Sequence, residues 1–146
     1  MIGRIWTGRE SDYATNDDGS LASGDTLLGS AFLSLFTRRR VTAVDGAVLP
    51  SVPQGWWADQ FFPRPIGSRL WTLRNAKIDT QTLRLVKLYS EEALGWWIER
   101  GIAKEVTAIS ERLESLGTDG IALEITAIKR DGSPWEHTWE KHLNGL

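Results

Sequence analysis

The sequence predicts an α+β domain in which a small antiparallel sheet, a C-terminal three-stranded meander, packs against two helices. Three observations carry that expectation. A capped run with helical apolar spacing starts at Asp25, a longer one lies between Asp79 and Gly101, and beyond Ile102 the apolar residues alternate. We read residues 1–146 as one domain: an N-terminal strand and loop over 1–24, a helix-loop-helix unit over 25–100, and strands over 102–140.

Taken in order, "IGRIWTG" predicts a short edge strand and "YATNDDGSLASGD" a polar loop of turn-forming residues. In "DTLLGSAFLSLFTRRR", Asp25 stands at the N-cap and Leu28, Phe32, Leu35 and Phe36 form an apolar side. Arg38, Arg39 and Arg40 fall at its C-terminal end, where cations suit the helix dipole. An irregular span follows to about residue 77. Asp79 then caps "TQTLRLVKLYSEEALGWWIER", and Gly101 ends it. The segments "IAKEVTAISERLE", "IALEITAIKR" and "SPWEHTWEKH" read as strands, joined by "GTDG" and "RDGS" at hairpin spacing.

Composition narrows the function classes. At 146 residues, 41% hydrophobic and 25% charged, the chain has the make-up of an ordinary globular domain. It lacks an apolar run of about 18 residues, and its N-terminus lacks a basic-then-apolar leader pattern, so a soluble protein with no membrane partner is expected. With no cysteine there is no disulfide, thiol nucleophile or thiolate metal site. Charge is uneven: residues 38–77 hold seven basic side chains against two acids, inside a chain of net charge -2. That acidic total disfavours nucleic acid as the partner of the basic island.

The same region holds "PSVPQGWWADQFFPRPIGSRLW", with three of the eight tryptophans and four of the five prolines. Proline fixes φ, so such a loop loses little entropy on docking, and tryptophan and arginine often dominate interfaces. Trp71 and one of Trp56 and Trp57 are expected inside, the other partly exposed. The long helix carries two apolar stripes at about 100° per residue. Leu83, Val86, Ala93, Leu94, Trp97 and Ile98 face the sheet; Leu85, Leu88, Tyr89 and Trp96 face away and need covering by the first helix and the tryptophan loop, or by a partner.

Constellations for chemistry are weak. Glu91, Glu92 and Glu99 share a helix, and a glycosidase acid pair is conceivable, but charged residues on a helix flank are ordinarily solvated. His137 and His142 have no well-placed third ligand for zinc, and neither a G-x-S-x-G elbow nor a phosphate-binding loop is present. We therefore expect no enzyme activity, no catalytic residues, no metal, no cofactor and no small-molecule substrate.

The ordered motifs "SLFTRRR", "LP", "GWWAD", "IGSRLWTLRNAK" and "TLRLVKLYSEEALGWWIERGIAKEV", spanning about residues 26–110, resemble the baseplate wedge protein of Mu-like phages and prophages. That family is similar to the W-type small contractile-tail baseplate proteins, formerly labelled lysozyme-like. Pro65, Gly67 and Ser68 fall at the wider group's first turn, and Glu99 and Arg100 at its second, where this chain reads Glu-Arg-Gly without proline. The resemblance implies a structural subunit of the virion tail baseplate, assembled in the host cytoplasm, that bridges other wedge proteins and the tail sheath. It also implies an open sheet edge for the sheath, expected beyond Pro134 or on the opposite side of the sheet. Expected partner contacts are Arg38, Arg39, Arg40, Trp56, Trp57, Arg64, Gly67, Ser68, Arg69, Leu88, Tyr89, Trp96, Glu99 and Arg100. Two other functions stand as alternatives: a baseplate-associated peptidoglycan hydrolase and a prophage nucleic-acid-binding regulator.

Overall fold

A computed structural model describes residues 4–6, 11–13, 17, 25–41, 55, 59, 61, 63–115 and 118–142. Residues 1–33 and 34–146 form two compact units. In the first, β1 (Arg4–Trp6) pairs antiparallel with β2 (Ser11–Tyr13). The expected edge strand is there, and a partner strand joins it that Ser-Asp-Tyr, too short to alternate, did not announce. The helix α1 (Thr26–Phe36) is capped as expected, with Asp25 Oδ1 accepting the Leu27 N–H at 2.8 Å. It stops at Phe36, so Arg38–Arg40 lie in extended chain past its end instead of on its last turn.

The larger unit is built on α2 (Thr80–Glu99) and the meander of β3 (Ala103–Ser115), β4 (Thr118–Lys129) and β5 (Pro134–His142), in the order β3-β4-β5. Asp79 Oδ1 accepts the Thr82 N–H at 2.8 Å and starts α2. Gly101, at φ 66°, ends it: its N–H reaches Ile98 O, and the Ile102 N–H reaches Trp97 O. Between β4 and β5, Asp131 Oδ1 accepts from the Ser133 N–H and hydroxyl, fixing the turn read from "RDGS". The β3–β4 turn at 116–117 lies outside the described residues.

Register sets which side chains meet. Ala108, Ile125 and His137 lie side by side, as do Ser110, Leu123 and Trp139, all on the face turned to the helix. Val86, Leu94 and Trp97 of α2 are buried. Trp97 meets the Trp135 ring edge-on at 5.4 Å, and Phe36 meets Trp139 at 6.0 Å, so β5 supplies core aromatics and cannot be removed without opening the core. The buried side of α2 differs from the apolar face expected of it. Thr82 and Ser90 are buried on it, while Ile98 is 48% exposed. The hydroxyls cost little there because they bond backbone carbonyls, Thr82 to Lys77 O at 2.6 Å and Ser90 to Val86 O at 2.7 Å.

α2 also holds β3 at two points: Glu91 Oε1 accepts the Ala108 N–H at 3.1 Å, and the Ser110 hydroxyl donates to Leu83 O at 2.8 Å. β5 has β4 as its only sheet neighbour among the described residues.

Candidate functional site

The segment from Arg64 to Leu73 is fastened to the residues following α1. Gly67 sits at φ 102°, and a Cβ there would run into the Thr37 carbonyl; only glycine permits the approach. The Ser68 N–H then donates to Thr37 O and the Arg39 N–H to Ser68 O, both at 3.0 Å. Ser68, buried, donates its hydroxyl to Leu35 O at 2.5 Å and accepts the Leu70 N–H at 3.1 Å. Leu70–Leu73 form a 3-10 turn, and the half-buried Trp71 donates its indole N–H to Arg39 O at 2.9 Å. Gly67, Ser68 and Trp71 thus serve this junction.

That junction presents arginines to α2. Glu92 takes two: Arg39 Nη1 at 2.5 Å on one carboxylate oxygen, and Arg69 through Nε at 3.0 Å and Nη2 at 2.6 Å on the other. Arg69 also lies 4.2 Å from the Tyr89 ring centroid. About two turns on, Arg64 Nη1 meets Glu99 at 3.0 Å and stacks over Trp96 at 5.7 Å, while Trp96 donates to Ser34 Oγ at 3.0 Å. Arg39, Arg69 and Tyr89 form one group, and Arg64, Trp96 and Glu99 a second. Arg38, Arg40 and Arg100 are exposed, and Leu88 is 53% exposed. Trp56 and Trp57 lie outside the described residues.

Glu92 and Ser34 were missed as members of this site. Neither has a local signature, since each acts through a partner 23 to 62 residues away. The carboxylates considered for hydrolysis are occupied: Glu91 by the Ala108 N–H and by Lys87 at 3.8 Å, Glu92 and Glu99 by arginines. His137 lies between the Trp135 and Trp139 rings, at 6.2 and 4.4 Å. Among the described residues no group of three His, Cys, Asp or Glu is arranged to hold a metal ion, and no helix is long and apolar enough to cross a membrane.

Similarity to known proteins bears on what these groups do. The family model described as "Phage protein GP46" matches residues 27–134, from the start of α1 to the first residue of β5. The chain belongs to the phage GP46 family. Within that family it is 37% identical to "Baseplate protein gp46" of Escherichia phage Mu over 145 residues, covering 97% of this chain and 96% of that one. It is 32% identical to "Mu-like prophage FluMu protein gp46" of Haemophilus influenzae over 135 residues, covering 92% and 90%. The GP46 match spans both arginine groups and the α2 carboxylates that hold them.

Proposed function

We propose that this chain is a structural subunit of the baseplate of a contractile, Mu-like phage tail, without enzyme activity. The observation that carries the reading is the nearly end-to-end match to "Baseplate protein gp46" of phage Mu. The geometry supports it: Glu92 and Glu99 of α2 pair with Arg39, Arg64 and Arg69 of the basic island and fasten a loop to a helix, which is construction, not chemistry.

The subunit bridges the wedge core and the first ring of tail sheath, within a virion tail assembled in the host cytoplasm. The side chains offered to the wedge core are the exposed Arg38, Arg40, Leu88 and Arg100, with Trp56 and Trp57 of the tryptophan-rich sequence. The sheath takes the β5 edge. Glu91 already occupies the Ala108 N–H of β3, whereas β5 carries no second strand among the described residues, and an edge strand accepts another chain with little rearrangement. Pro134 starts β5 without an N–H, so added pairing begins beyond it.

Purified tails test the proposal. The chain is expected to remain with them through salt and density-gradient washes, at a fixed ratio to the other baseplate proteins by quantitative mass spectrometry. Its recovery only as free protein, with muramidase activity lost in Glu91→Gln or Glu99→Gln, contradicts the proposal.

A further inference from the structure

We infer that the outward face of the meander is a docking surface for a basic surface on another tail protein. The inference rests on the baseplate reading and names a surface and a partner chemistry that the reading does not. Along each strand, side chains alternate between the helix-facing core and the opposite face. On that opposite face Glu105, Glu111, Glu124, Glu136 and Glu140 are all exposed, and no lysine or arginine occupies an outward position from 105 to 111, 122 to 128 or 136 to 140.

Glu124 stands opposite Ile109 on β3 and Thr138 on β5. Glu111, Glu136 and Glu140 are therefore its diagonal neighbours, at a spacing of roughly 7 to 8 Å. Like charges so arranged repel, and no lysine or arginine stands at those outward positions to offset them. The carboxylates are spread over three strands and do not converge, since no three ligating side chains gather to hold a metal ion among the described residues. Nucleic acid and anionic lipid are repelled by such a face. On the edge strand β3, between Thr107 and Glu111 and opposite Glu124, Ile109 is 49% exposed, giving an apolar spot bordered by two of the carboxylates.

Size and charge argue for a second protein instead of a second copy. Three strands about 4.8 Å apart and roughly nine residues long present about 400 Å², near half of the ~800 Å² per partner of a stable pairwise interface. The face suits one contact among several in an assembly. In another copy of this chain, Arg39, Arg64 and Arg69 already hold Glu92 and Glu99, so the basic island of a second copy has only part of its charge to offer.

The test co-expresses the chain singly with each product of the genes flanking its own, and measures dissociation constants of the purified pairs against NaCl. For the wild type, one pair formed with a basic partner is expected to weaken about tenfold between 50 and 300 mM salt. A variant with Glu111→Lys, Glu124→Lys and Glu136→Lys is expected to lose at least about tenfold in affinity at low salt, with its melting temperature unchanged. If the lysine variant does not fold, glutamine at the same three positions is expected to flatten the salt dependence. Unchanged affinity and salt response in the folded variants overturn the inference. So does wild-type self-association in sedimentation velocity that the variants lose, which makes a second copy the occupant. If the wild type binds no flanking product, the baseplate reading fails and the inference falls with it.

Discussion

Trp96 donates its indole N–H to the hydroxyl of Ser34, 62 residues earlier in the chain, at 3.0 Å. The bond lies on the side of α2 turned away from the sheet, and with Arg64 over its ring Trp96 is covered by its own chain. Of the second apolar stripe, Leu88 remains exposed.

Trp96→Ala should therefore lower stability by about 2 to 4 kcal/mol, somewhat under the full cost of truncating a core aromatic because Trp96 is half-buried. Urea unfolding followed by fluorescence measures it. A loss of less than about 1 kcal/mol would mean that Trp96 is held by a partner and not by Ser34 and Arg64.

Glu92→Gln leaves Arg39 and Arg69, each less than a quarter exposed, facing a neutral amide. The expected cost is about 1 to 3 kcal/mol. A double-mutant cycle with Arg69→Met checks that the loss belongs to the pair: a coupling energy near zero contradicts it.

Gly67→Ala puts a methyl group against the Thr37 carbonyl at a φ that alanine rarely adopts. Strain and the broken Ser68–Thr37 contact should cost about 3 kcal/mol or more. Faster exchange of the Ser68 and Arg39 amides, with the β4 amides less affected, is the expected hydrogen-exchange pattern; uniform acceleration would contradict it.

Asp79 has its pKa held below the ordinary 3.8, chiefly by the Thr82 backbone N–H it accepts and then by the Thr82 side chain. A depressed folded pKa means that this contribution is present above the unfolded value and lost as pH falls through the folded one. Asp79→Asn keeps an oxygen for the cap but removes the titration. Its urea midpoint should fall less steeply than the wild type below pH 4, and parallel curves would contradict that role.

Much of the architecture was legible because its signals are local. Asp79 and Gly101 bracket α2 by bonds spanning a few residues, and alternation from Ile121 to Ala127 marks β4 wherever the chain goes. What stayed hidden depends on distant partners. Thr82 and Ser90 were absent from the apolar face read from the sequence, yet each is buried, with its hydroxyl given to a backbone carbonyl, Lys77 O just before the helix and Val86 O within it. Glu92 read as a solvated flank charge because nothing beside it announces Arg39 and Arg69. The basic island was legible as charge, but not that three of its arginines face acids of the same chain.

Electron microscopy of tails carrying an epitope on this chain tests the baseplate assignment most directly. Antibody label at the baseplate end of each tail, and tails without sheath when the gene is removed, are the expected results. Complete sheathed tails formed in its absence, or label found only off the particles, would contradict the assignment.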